Sequence, residues 1–184
     1  MSNALDIAGY AIVSEDGMLA DASRVMPQSL MFKADQVFFE AELDSVDLVV
    51  HGRHSQEQQP NAPQRRRLIL TQRIPGIARH PSNPQALLWN PLGAPFEDAV
   101  AAFAEPITRI AVIGGTDVFA LFLDRFDAFH LTRAPGVLLP GGQPVFPEVP
   151  RRRPEDVLAE HGLRPEPLQM LDEELGVSLV TWRR

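Results

Sequence analysis

The feature that most constrains this chain is an alternation: short apolar runs are separated by stretches with helical spacing, and several runs break off at a glycine or a polar cluster. The runs Ile7–Val13, Asp47–Val50, Leu68–Leu70, Ala86–Trp89 and Arg109–Ile113 read as buried strands, and Ala128–Thr132 as a sixth. Lys33–Leu43, Phe96–Phe103 and Thr116–Phe122 carry apolar residues at helical spacing. Strands alternating with helices predict an α/β fold with a mostly parallel central sheet, right-handed crossovers and helices on both faces. Leu168–Leu171 and Val177–Trp182 predict a C-terminal antiparallel hairpin. Sheets of this kind take ligands beyond the carboxyl ends of their strands, so chemistry is expected in the loops after Val50, Leu70 and Ile113.

Composition narrows the functional classes. The 184 residues have the length of one domain, 1–184, and 17 prolines between the apolar runs keep the elements short. A net charge of −7, with no basic half, argues against a nucleic-acid partner held by counterion release. No apolar run reaches the roughly 20 residues of a bilayer crossing. A basic-then-apolar leader is also lacking, so no membrane partner and a cytoplasmic location are expected. Cysteine is absent, which excludes disulfides, thiolate catalysis and Cys-ligated zinc. His51, His54, His80, His130 and His161 have no metal-ligand spacing, so no metal is expected. The sequence leaves the oligomeric state open.

Three strand ends carry candidate chemistry. Ile113-Gly114-Gly115-Thr116-Asp117-Val118 leads from a strand into a helix, where a bare backbone and unpaired N–H groups can approach an anion. A plain tight turn is an equal reading of the glycine pair alone. Val50-His51-Gly52-Arg53-His54-Ser55 repeats the arrangement with side chains able to donate to phosphate oxygens. Leu70-Thr71-Gln72-Arg73 ends in a hydroxyl and a guanidinium, groups suited to a ribose 2′-phosphate.

The order and spacing of these segments resemble the dihydrofolate reductase-like family from about Ile7 to Trp182. That resemblance implies a three-layer fold and NADPH as cofactor. Gly52, Arg53, His54 and Ser55 would hold the pyrophosphate region, Thr71, Gln72 and Arg73 the 2′-phosphate, and Gly114, Gly115, Thr116, Asp117 and Val118 the pyrophosphate and nicotinamide side. Leu19 and Ala20 match the loop that closes over the nicotinamide. A cis peptide is implied between Gly114 and Gly115. The family's single buried carboxylate falls on Asp35, with Phe39 one turn on to pack against a substrate ring. Reduction of a ring C=N needs a proton on the nitrogen, which a lone carboxylate can favour. Asp35 equally suits a helix start, where an acid favours the macrodipole. Arg65, with Arg66 as rival, matches an arginine that pairs with the glutamate tail of folate. Ile113, Phe119 and Thr132 match other positions facing substrate or nicotinamide. The resemblance thus implies a small heterocyclic substrate, with 7,8-dihydrofolate first.

Two departures point toward sister reductases of riboflavin synthesis. Met26-Pro27-Gln28 replaces the usual Pro-Trp pair, and Gly142-Gln143-Pro144 replaces Gly-Asp-Thr ahead of Phe146-Pro147. Ser14-x-Asp16-Gly17 and Asp35-Gln36-Val37-Phe38-Phe39 resemble those sisters. A ribosylamino-pyrimidine substrate, or a relative that binds cofactor without turnover, are the alternatives. Arg151-Arg152-Arg153 reads as a solvated linker run.

Overall fold

Side chains alternate across a strand, so the apolar pattern of each strand decides which layer it feeds. The computed structural model describes residues 4–55 and 57–184. Its strands are β1 (Asp6–Val13), β2 (Met18–Ala20), β3 (Leu48–Gly52), β4 (Arg67–Leu70), β5 (Ile77–Arg79), β6 (Ala86–Trp89), β7 (Arg109–Val112), β8 (Ala128–Arg133), β9 (Gln143–Pro144), β10 (Arg164–Pro165), β11 (Gln169–Asp172) and β12 (Val177–Arg183). The helices are α1 (Lys33–Asp44), α2 (Phe96–Ala101), α3 (Thr116–Phe122) and α4 (Pro154–Glu160).

The main sheet runs β10-β12-β8-β1-β7-β3-β4-β6-β5, with β11 also paired to β12. From β8 to β6 all pairings are parallel, and the strands beyond, at both ends, are antiparallel. One face of the sheet presents Ile7, Val13, Leu48, Val50, Ile110, Val112, Phe129 and Leu131, packed on Phe96, Phe119, Phe122, Val157 and Leu158 from α2, α3 and α4. The opposite face presents Tyr10, Val49 and Ala111 to Phe38, Phe39 and Leu43 of α1. Helices therefore cover both faces, as the alternation implies. Phe119, Phe122, Phe126, Phe129 and Phe146 are fully buried, each contributing roughly 1.5–3 kcal/mol by area removed from water. Gly9 makes room for them: a Cβ there would lie 2.3 Å from the Phe129 ring.

Three features differ from the sequence expectation. The arginine run is no linker: Pro154 opens α4 at its first turn, and Arg153 and Arg152 pair with Asp156 and Glu160 of that helix. β5 adds a short antiparallel edge strand. β2 pairs with β9, which ties the loop after β1 to the segment before Phe146. That loop is pinned where it leaves β1, because Ser14 Oγ accepts from Met18 N–H at 2.9 Å and Asp16 accepts from Leu139 N–H at 3.0 Å.

Candidate active site

The neighbouring strands β7, β3 and β4 are parallel, so their C-terminal turns emerge side by side. The first two turns are laced together: Gly52 N–H donates to Gly114 O at 2.7 Å, and Ile113 N–H to Val50 O at 3.0 Å. Gly114 requires glycine twice over, since its φ is +105° and a Cβ would sit 2.9 Å from the Phe119 ring. The Gly114–Gly115 peptide is cis. A Cβ on Gly115 would point between Ser55 Oγ, 3.3 Å away, and Gln143 Nε2, 3.1 Å away, and all three residues line the main cleft. Arg53, Gln72 and Arg73 are exposed, and neither Arg53 nor Arg73 forms an ion pair among the described residues. Thr71 receives the Arg73 N–H at 3.2 Å. Bare backbone beside unpaired guanidinium groups fits the phosphates of a pyridine dinucleotide.

Of three further residues assigned to this half, two serve the framework and one faces solvent. Val118 is buried under Gly52, 3.3 Å from where its Cβ would be. The Thr116 hydroxyl donates to Pro144 O, and Asp117 is exposed on the first turn of α3. Phe119 does not line the cleft: it packs edge-on to Phe129 and Phe146 in the core on the other face, because α3 covers that face.

A cleft of about 380 Å³ opens between α1 and the sheet, within the size range of small-ligand sites. Leu19, Ala20, Asp35, Phe39, His54, Ser55, Ile113, Gly115 and Thr132 all line it. No side chain caps the start of α1. Loss of water instead pushes the Asp35 pKa up to about 6, although the neighbouring Thr132 hydroxyl favours the carboxylate. Among the described residues it has no cationic partner. Gln28, which stands in place of the family's indole, opens a short 3-10 turn, and Met26 and Met31 give the cleft the apolar surface of that loop.

Tyr10 and His130 also line the cleft and were not anticipated. They are register partners on β1 and β8, with rings stacked at 4.6 Å. The Tyr10 hydroxyl donates to Glu42 at 2.8 Å, and burial together with that carboxylate keeps the phenol protonated. Burial holds the His130 pKa below its ordinary value. His130 stands two residues before Thr132 on the same strand face, a signal the sequence did contain.

Arg65 is the clearest correction. It is absent from the cleft lining and buried, with its guanidinium 2.5 Å from Asp44 and 3.1 Å from Glu57. Its rival Arg66 pairs with Glu105 instead. Arg67, deeper still, donates to Glu57, to Ala62 O at 2.8 Å and to His51 Nε2 at 3.3 Å. His51 Nδ1 lies 2.7 Å from Gly52 O. A carbonyl only accepts, so the proton sits on Nδ1 and Nε2 accepts from Arg67. Burial pushes the His51 pKa down to about 4, consistent with that neutral tautomer. No group of three or more His, Asp or Glu converges as a metal site among the described residues, and no helix among them is long and apolar enough to cross a membrane.

No protein-family model and no curated protein matches the sequence. Solved structures do match. A protein named for riboflavin biosynthesis from Shewanella sp. PV-4 aligns over 98% of this chain and 99% of its own, with a TM-score of 0.68 at 20% identity. A pyrimidine reductase-like protein from Corynebacterium diphtheriae aligns over 98% and 92%, with a TM-score of 0.66 at 16% identity. Dihydrofolate reductase from Enterococcus faecalis, complexed with NADP(H), aligns over 97% and 96%, with a TM-score of 0.63 at 17% identity. Identities this low speak for architecture rather than activity, and all three alignments run nearly end to end: the chain has the dihydrofolate reductase-like fold.

Proposed function

We propose that the protein is an NADPH-dependent reductase of a small heterocycle, acting either on a ring C=N bond of a dihydropterin or on a ribosylamino-pyrimidine of riboflavin synthesis. The observation that carries this reading is Asp35. Among the described residues the carboxyl groups lining the cleft are Glu57, which is bound to two arginines, and Asp35, which has no cationic partner. Reduction of C=N places a hydride on carbon and a proton on nitrogen, and a bound NADPH supplies the first. A carboxyl with a pKa of about 6 is shared between acid and carboxylate near neutrality, so it can hold the substrate's N–H edge and favour the protonated ring. Thr132 shares the cleft with it, and Phe39, Ile113, Met26 and Met31 offer apolar surface to a flat ring. Gly52 to Ser55 and Gly114 to Gly115 would hold the pyrophosphate, Thr71 to Arg73 the 2′-phosphate, and Leu19 and Ala20 would flank the nicotinamide.

Absorbance at 340 nm with NADPH tests this on a substrate panel. Oxidation with a dihydropterin or with the ribosylamino-pyrimidine supports the reductase reading and separates its two branches. Cofactor binding with no oxidation across the panel would leave a relative that has lost turnover.

A further inference from the structure

The cleft wall formed by residues 57–59 has a neutralised ionic cluster behind it. Arg65 and Arg67 have side chains 7% and 1% exposed, and both guanidinium groups face the Glu57 carboxylate, itself 3% exposed and part of the cleft lining. Asp44 closes on Arg65 from the end of α1. Two cations meet two anions, with His51 neutral at neutral pH, so the cluster offers the cleft no net positive charge. The lining around it is uncharged, with Gln58, Gln59 and Gln36. Arg24, which does line the cleft, belongs to another loop.

A carboxylate brought to this wall would give up water and find both guanidinium groups behind it already paired with Glu57, whose other oxygen accepts from Gln59 N–H at 3.1 Å. That is unfavourable unless a cation is released to meet it. We infer that Asp44 and Glu57 are specificity-determining residues: by neutralising Arg65 and Arg67 they make the cleft refuse heterocycles that carry a carboxylate tail and admit those with an uncharged substituent there. The device works through an unfavourable contact for the wrong ligand rather than an added contact for the right one. The inference rests on the reductase reading above and decides which substrates that reading admits.

The test uses the full chain with NADPH and two substrates that share a ring: 7,8-dihydrofolate, which ends in a glutamate, and 6-hydroxymethyl-7,8-dihydropterin, which has no tail. A tail carboxylate desolvated there without a free cation should cost dihydrofolate affinity, so kcat/KM should favour the tail-free pterin by about tenfold or more, equivalent to about 1.4 kcal/mol. Asp44→Asn and Glu57→Gln should each narrow that ratio, chiefly by lowering KM for dihydrofolate. Asp44 has a side chain 44% exposed, so its variant keeps the test available if Glu57→Gln destabilises the fold. The inference is overturned if the wild type prefers dihydrofolate and Arg65→Met removes that preference, since Arg65 would then be reading the tail. A ratio near one that neither substitution changes, or tight NADPH binding with neither pterin reduced, overturns it equally. Absence of NADPH binding instead overturns the reductase reading.

Discussion

The two halves of the cleft are made of different materials. The half at the ends of β7, β3 and β4 is built on backbone: Gly52 and Gly114 are laced by a main-chain hydrogen bond beside the bare Gly115. The half between α1, β8 and residues 57–67 is built from ionisable side chains that are buried, as Glu57, Arg65, Arg67, His51 and Tyr10 are, or half-buried, as Asp35 and His130 are. A backbone cradle tolerates changes around it but no added Cβ. A side-chain wall tolerates changes of shape better than changes of charge, because each buried charge depends on a partner.

Four measurements break or sharpen that contrast. Asp35→Asn keeps size and removes charge in the side-chain half, so turnover should fall about 10²-fold or more at neutral pH while NADPH affinity barely moves. Its residual rate should rise as pH falls, because protonation of the substrate then depends on solvent. A single-turnover assay, in which chemistry is visible, returning the wild-type rate would place the proton source elsewhere. Gly114→Ala strikes the backbone half: a positive φ and the Phe119 ring together should cost about 2–4 kcal/mol in denaturant unfolding, with NADPH affinity lost as well. A variant that melts and binds like the wild type would make this glycine pair an ordinary turn. Arg73→Ala should weaken NADPH by about 1.5–3 kcal/mol and leave NADH almost unchanged, the signature of a charge-assisted bond to a 2′-phosphate. Equal loss for both cofactors, measured by fluorescence titration, would remove Arg73 from that role.

The smallest effect concerns stability. Folding raises the Asp35 pKa from 3.8 to about 6, so the folded state holds that proton more tightly. Its contribution is therefore most favourable below pH 3.8 and is lost as pH rises through 6. Asp35→Asn should be more stable than the wild type by about 1–2 kcal/mol at pH 7, after allowing for partial exposure, and equal to it at pH 4. A gain that persists at pH 4 would point to repacking instead of charge.

The same contrast explains what the sequence disclosed. The glycine pair was legible because a positive φ demands glycine locally, at Gly114, whatever lies far away. Asp35 and Thr132 were placed on the cleft through the resemblance, and the strand pattern that gave the sheet was likewise readable. Arg65 was not legible: its neutralising partners stand 21 and 8 positions away, and only folding shows that its charge is already matched. Tyr10 and His130 meet through the register of β1 with β8, which no local pattern reveals. Phe119 was assigned to the cleft although α3 turns it to the opposite face. The start of α4 carried its own signal, a proline followed by two acids, but the preceding arginines obscured it.

The ends of the main sheet bear on how such a chain survives its own folding. Parallel pairing joins segments distant in sequence, as when β1 meets β7 and β8, and folding of this kind is slow. During that interval an open row of N–H and C=O groups is a template for strands of other molecules. One edge ends in β5, three residues long with an exposed Arg79 and followed by Pro81. The other is divided between the two-residue β10, where Pro165 has no N–H to offer, and β11, whose pairing with β12 shifts register between Met170 and Asp172. Short, interrupted and proline-bearing rims leave little continuous ladder for intermolecular growth, so this protein should remain dispersed at concentrations where a flush-edged sheet of equal width would assemble.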